Sequence, residues 1–259
     1  MTQHPLSQIH PDAIIAPDVE IGPFVFIDKN VEIGAGTKIF SNVTILEGTR
    51  IGEKCRIFPG AVLGGIPQDL KFRGEETLAI IGNNTTIREC VTVNRGTVAK
   101  GKTVVGSNCL LMAYAHVAHD CIIKDNVILA NSTQLAGEVE IDEYAILGGG
   151  TLVHQFSRIG AHVMIQGGTK LAKDVPPYVM AAKDPNSYVG INSVGLRRRG
   201  YTNEQITQIQ DIYRIIFQSK LNTTNAINKV LETISESPER ELIIDFIKSS
   251  DRGIIKGFI

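Results

Sequence analysis

The stretch Val117-Ala-His-Asp-Cys-Ile-Ile123-Lys-Asp-Asn-Val-Ile-Leu129-Ala-Asn-Ser-Thr-Gln-Leu135 places an aliphatic residue at every sixth position. The same spacing runs upstream through Leu111 to Val105 and downstream through Ile141, Leu147, Val153, Ile159 and Ile165 to Leu171. An earlier run covers Ile9, Ile15, Ile21, Ile27, Ile33, Ile39, Ile45, Ile51, Ile57 and Leu63, and a short one covers Ile81, Ile87 and Val93. A hexapeptide period of this length is the signature of a parallel β-solenoid. The residue four places after each beat is small, as at Val19, Val25, Val31, Val43, Ala61, Ala115 and Ala145. Strand side chains alternate faces, so the beat and that small residue both point inward. Three six-residue sides make an eighteen-residue triangular coil, and the beats amount to about eight coils and a rod of about 40 Å. The slot after the beat is often glycine (Gly22, Gly34, Gly52, Gly82, Gly106, Gly148, Gly160), which is expected to relieve a tight corner.

The period predicts a mainly β chain: a left-handed parallel β-helix over residues 1–177, a connector over 178–200 and a C-terminal α-helical domain over 201–259. Two polar stretches, 66–79 and 95–102, interrupt the beat without shifting its phase and are expected to be loops extruded from the rod. Pro176-Pro177 ends the pattern. Thr202 with Gln205 forms a capping box ahead of Ile206, Ile209, Ile212, Tyr213, Ile216 and Phe217 at helical spacing. A second helix is expected from Thr223 or Thr224, with Ile227, Val230, Leu231 and Ile234 on one face. A third starts at Ser237-Pro238.

The chain has 259 residues and a formal net charge of −1, so bulk charge favours neither nucleic acid nor an anionic membrane. It contains no apolar run long enough for a membrane span, and its first residues lack the features of a signal peptide, so a cytoplasmic location is expected. Cys55, Cys90, Cys109 and Cys121 have no CxxC spacing. Cys55, Cys109 and Cys121 fall in the small inward slot, where buried, inert thiols are expected.

A rod has no cleft, so chemistry must come from polar interruptions. These cluster between residues 113 and 155. With an eighteen-residue coil, His119, Gly137 and Gln155 form one column, Asp120 lies under Glu138, and His154 stands two coils above Ala118. An imidazole beside a carboxylate is held in one tautomer and made a better base. A glycine amide one coil away is suited to an oxyanion. Arg197, Arg198 and Arg199 precede the helix predicted from residue 202, at its positive end, where cations do not help the dipole. That placement suggests an anion site, which Lys170, Lys173 and Lys183 extend.

These motifs carry a resemblance. Gln68-Asp69-Leu70-Lys71, Arg95-Gly96-Thr97, Ala115-His116-Val117-Ala118-His119-Asp120-Cys121, Leu135-Ala136-Gly137, Val153-His154-Gln155-Phe156, Asp174-Val175-Pro176-Pro177-Tyr178-Val179 and Arg198-Arg199-Gly200 resemble the bacterial UDP-N-acetylglucosamine O-acyltransferase family, which starts lipid A synthesis. The resemblance implies a homotrimer with active sites between subunits. It further implies transfer of an (R)-3-hydroxyacyl chain from the phosphopantetheine of acyl carrier protein to the glucosamine 3-hydroxyl, with no metal and no other cofactor. His119 matches the general base, Asp120 its orienting partner and Gly137 the oxyanion donor. Asp69, Lys71, His116, Glu138, His154 and Gln155 match substrate contacts, and Asn192, Arg198 and Arg199 match the nucleotide end. Gly167 matches the position that sets acyl length, and its missing side chain implies a groove for a long chain, about fourteen carbons or more. The family commonly has histidine where Glu138 and Asn94 stand and an acidic residue where Val194 stands.

Three other readings compete. An N-acyltransferase of the same solenoid is expected to carry a further N-terminal domain, for which the beat beginning at Ile9 leaves no room; an amino-sugar acceptor, which differs by one atom, stays open. A γ-type carbonic anhydrase would use His116, His119, His154 or His162 on zinc, but gives no role to the Gln68–Lys71 loop or the helical cap. A structural solenoid would show a flat, regular Thr or Ser face, which this chain lacks.

Overall fold

The computed structural model describes residues 2–257; Met1, Phe258 and Ile259, the ends of the first and last expected segments, lie outside the described residues. The expected left-handed parallel β-helix is the architecture found. Among the described residues, short strands stack into three sheets of twelve, nine and eight strands. The first sheet runs through Leu110–Leu111, Ile128–Leu129, Ile146–Leu147 and Met164–Ile165; the second through His116–Val117, Gln134–Leu135, Leu152–Val153 and Lys170–Leu171; the third through Ile122–Ile123, Glu140–Ile141 and Arg158–Ile159. Val117 pairs with Leu135 and Leu135 with Val153, so each coil places equivalent residues in register. The beat residues from Ile21 to Leu171 are buried, as are the small residues that share their inner face. Cys55, Cys109 and Cys121 belong to this core, where burial pushes the Cys109 thiol up to about 11 and that of Cys121 up to about 12.

The glycine slot does a different job from the corner role its position suggests. The left-handed residue of each corner is the third after the beat: Asn30, Asn42, Asn84, Asn108 and Asn126, among others, have positive φ. Glycine directly after the beat lets coils approach. A Cβ on Gly34 would lie 2.7 Å from the Gly52 carbonyl carbon, and one on Gly160 would lie 2.5 Å from the Pro177 nitrogen. The constraint is stacking, not φ.

The stretch expected as a connector is structured. Val179–Ala182 continues the first sheet by pairing in parallel with Met164–Ile165, then turns into an antiparallel partner, Ser187–Ile191. A short helix α1 follows at Ser193–Arg198, and then come α2 (Asn203–Gln218), α3 (Thr223–Thr233) and α4 (Pro238–Lys248). The Thr202 capping box is present in full, Asn222 caps α3, and Ser237 caps α4 with Pro238 in its first turn. Of that face Ile227 and Val230 are buried, while Leu231 is 40% exposed, because α3 presents only one narrow stripe to α2. The helices seal the end of the rod. The Tyr213 hydroxyl donates to the Pro177 carbonyl at 2.5 Å, the Ser250 hydroxyl donates to Asp174 at 2.7 Å, and Lys256–Gly257 pairs with Ser187–Tyr188.

Candidate active site

The three corners of the coil are chemically distinct. The corner between the second and third sheets carries His119, Gly137 and Gln155, and both extruded loops leave the rod there. The first joins the strand Val62–Gly65 to Leu78–Ile81, and the second joins Thr92–Asn94 to Lys102–Val105. One edge thus collects the histidine column and both interruptions.

His119 and Asp120 touch: Nδ1 lies 2.8 Å from Asp120 Oδ2. Asp120 is fully buried and sits in the left-handed region at φ 61°. Burial pushes its carboxyl up, but hydrogen bonds from the Thr97 hydroxyl, from His119 and from the Thr97 backbone outweigh that and hold it below the ordinary carboxylate range. Thr97 N–H donates to Oδ1 at 2.9 Å and its hydroxyl to Oδ2 at 2.6 Å. The Asp120 N–H donates to Thr103 Oγ1 at 2.8 Å. An ionised carboxylate only accepts, so His119 Nδ1 carries a proton, and in the neutral ring Nε2 keeps its lone pair. That is the tautomer a general base needs.

Gly137 lies against this ring. A Cβ there would come within 2.6 Å of both His119 Cε1 and Nε2. The coils are locked in register by Glu138 N–H donating to the His119 carbonyl at 3.0 Å and Phe156 N–H to the Gly137 carbonyl at 3.1 Å. The Gly137 N–H donates to no backbone acceptor among the described residues. Glu138, half-buried, also occupies a left-handed corner. Gln155 is half-buried and exposed His154 points Nδ1 toward the Gln155 carbonyl at 3.1 Å. His116 is on the adjoining face of the second sheet, its Nδ1 2.7 Å from the Thr92 hydroxyl, and burial lowers its pKa. Asp69 turns the first loop by accepting from the Lys71 N–H at 2.9 Å, leaving Lys71 exposed. Asn94 anchors the root of that loop, donating to the Ile66 carbonyl at 2.7 Å.

Asn192 and Arg199 lie on another edge, between the third and first sheets. There Tyr144, His162 and Tyr178 stack, with centroids 5.0 and 5.5 Å apart, and Tyr201 packs edge-on. Asn192 caps α1 through Gly195 N–H and donates to the His162 carbonyl at 2.9 Å. The Arg199 guanidinium covers the Tyr144 ring at 5.1 Å and donates to the Tyr144 carbonyl at 3.2 Å. Burial, and then the nearby Arg199 charge, push His162 down to about 4, so this ring is neutral. The aromatic stack is absent from the sequence-derived candidates. Its signal was there, since residues 144 and 162 are one coil apart. The arginine run also differs from expectation: Arg197 and Arg198 occupy the last turn of α1, where cations suit the dipole, and Arg199 is its C-cap. The dipole therefore offers no argument for an anion site; Arg198 stands exposed and Val194, on the same helix, is 58% exposed.

Gly167 is on the remaining edge, between the first and second sheets, stacked on Gly148 and Gly149. A Cβ on Gly148 would lie 2.4 Å from Gly167 N, and one on Gly167 would lie 3.0 Å from the Gly149 carbonyl oxygen. Lys170, Lys173 and Lys183 do not extend the arginine run; they ring a cavity of about 670 Å³ at the end of the rod with Lys256.

Residues 174–255 match a family model described as UDP N-acetylglucosamine O-acyltransferase, domain 2; residues 102–137 match one for bacterial transferase hexapeptide repeats, and residues 4–107 one for a GMPPB C-terminal domain. The chain is 46% identical to the acyl-[acyl-carrier-protein]–UDP-N-acetylglucosamine O-acyltransferase of Thiobacillus denitrificans, over 98% of this chain and 99% of that one. It is 47% identical to the enzyme of that name from Ectopseudomonas mendocina, over 97% and 98%. Among solved structures, it matches a UDP-N-acetylglucosamine acyltransferase from Bacteroides fragilis with TM-score 0.97 and 56% identity, over 98% and 99% of the chains. It matches LpxA from Acinetobacter baumannii with TM-score 0.96 and 43% identity, over 99% and 100%.

Proposed function

The chain belongs to the UDP-N-acetylglucosamine O-acyltransferase family, and from that premise we propose that it moves an (R)-3-hydroxyacyl chain from acyl carrier protein to the 3-hydroxyl of UDP-N-acetylglucosamine by direct attack. The observation that carries the mechanism is the buried Asp120 carboxylate holding the His119 Nδ1 proton at 2.8 Å, with Gly137 against the free side of the ring. His119 Nε2 takes the proton of the sugar hydroxyl as its oxygen attacks the thioester carbonyl. The Gly137 N–H donates to the oxyanion. The carbon–sulfur bond then breaks, and the imidazolium returns its proton to the departing thiolate. A thioester is already activated, so positioning and base catalysis suffice.

The three edges support a site shared between chains. His119 with both loops, Asn192 with Arg199, and Gly167 stand on different corners of one prism, so a single chain cannot gather them around one substrate. In a homotrimer of parallel prisms, corners of neighbouring chains face one another. His116, His154, Gln155, Glu138, Asp69 and Lys71 then line the sugar and acyl side, and Asn192, Arg198 and Arg199 the nucleotide side. Asn192 already spends both ends of its amide within the chain, so its share is to place α1 as much as to touch a ligand. Glu138 gives the sugar side an acceptor where the family commonly offers an imidazole.

Gly167 sets the length of the acyl groove. Offered a mixture of (R)-3-hydroxyacyl carrier proteins with UDP-N-acetylglucosamine, the wild type is expected to form the sugar ester with a preference for donors of about fourteen carbons or more. Gly167→Met fills the groove end and is expected to move the preference to shorter donors by about tenfold or more per step of length lost. Wild-type preference for a short donor, or a variant with unchanged preference, contradicts this role.

A further inference from the structure

The second loop is tied to the catalytic edge through one side chain. Thr97 is buried, yet both its backbone N–H and its hydroxyl are aimed at Asp120, one on each carboxylate oxygen. With the His119 Nδ1 proton, these make three donors to one buried carboxylate. The hydroxyl shares Oδ2 with His119, so it fixes the same oxygen that orients the base. The loop is itself held: Thr77 Oγ1 donates to the Gly96 carbonyl at 2.6 Å, and Lys100 pairs with Glu140 at 2.9 Å. Thr103, on the strand that the loop enters, accepts from the Asp120 N–H and pins its left-handed backbone.

We propose that Thr97 is a positioning residue for the transfer reaction, fixing the Asp120 carboxylate in charge and direction so that His119 presents a free Nε2 to the substrate. The adjoining coil holds the Asp120 backbone through Thr103, and the loop supplies donors to both oxygens of its side chain. Without the hydroxyl, Oδ2 keeps only the imidazole proton, and the loop holds the carboxylate through the Thr97 N–H on Oδ1 alone. The effect travels through Asp120, and Thr97 touches no reacting atom.

The inference rests on the reading of His119 as the base, and the test separates the two. Six proteins are compared at saturating substrate with melting followed alongside: wild type, Thr97→Val, Thr97→Ser, His119→Ala, Asp120→Asn and the Asp120→Asn/Thr97→Val double variant. A hydrogen bond to a charged group corresponds to about tenfold or more in rate, so Thr97→Val is expected to lose that much in kcat with KM for UDP-N-acetylglucosamine nearly unchanged. Thr97→Ser restores the hydroxyl and is expected to restore kcat to within about threefold of wild type. In an Asp120→Asn background the Thr97→Val loss is expected to shrink to less than about twofold, since residues acting as a unit are non-additive. Should Thr97→Val fail to fold, Thr97→Ala carries the same cycle. Equal losses with and without Asp120, or a Thr97→Ser variant as slow as Thr97→Val, overturn the proposal while a dead His119→Ala variant leaves the base assignment standing. Full transfer by His119→Ala overturns both.

Discussion

Replacing His119 by alanine is expected to lower acyl transfer by about a hundredfold to ten-thousandfold, the range that positioned general bases contribute. The size of the effect follows from geometry. Asp120 is buried and held ionised against its own desolvation, so it stands ready to accept the Nδ1 proton. The base sits at the rim of the rod, 8% exposed, and its ring contributes little to the aliphatic core. The variant should therefore melt within a few degrees of wild type while losing turnover. A variant that transfers at the wild-type rate would discard the catalytic assignment. One that unfolds would show that the ring is structural.

Gly137→Ala is expected to be nearly as damaging, by about a hundredfold, for a loss of oxyanion stabilisation together with a displaced base. The added methyl would lie 2.6 Å from two atoms of the His119 ring, closer than carbon and nitrogen can approach. The ring or the backbone must give way. The ring is a side chain tethered at one nitrogen, so it moves, and Nε2 leaves the position from which it reaches the sugar. Gly137 is not in a positive-φ conformation, so alanine adds no backbone strain there and stability should change little. The measurement is kcat beside a denaturant melt. Unchanged turnover would mean that the ring has room and that the amide is not the oxyanion donor.

Much of the rod was legible because a period of six in sequence becomes a period of eighteen in space. Val117, Leu135 and Val153 stack as their numbers imply, and His119, Gly137 and Gln155 follow two residues later. The same arithmetic separates Gly167 and His162 from that column, and it also places both loops on the histidine edge. The role of glycine after the beat was hidden, because it depends on how closely one coil sits on the next, as at Gly160 against Pro177. The place of the arginine run is not legible in the sequence, because α1 has six residues, too few to show a helical period. Thr97 could not be placed from sequence at all. Its motif marks a loop, but only the folded loop brings its hydroxyl to 2.6 Å from Asp120.

The central claim, direct transfer from carrier thioester to sugar hydroxyl at the His119 edge, is tested most directly by a single turnover. Wild-type protein in excess is mixed with (R)-3-hydroxyacyl carrier protein and UDP-N-acetylglucosamine, quenched over time, and read for donor, sugar ester and protein mass. The expected result is a 3-O-acyl sugar nucleotide that appears as the donor disappears, with the protein mass unchanged throughout. Acyl mass on the protein before product forms, or donor loss without a sugar ester, would contradict it.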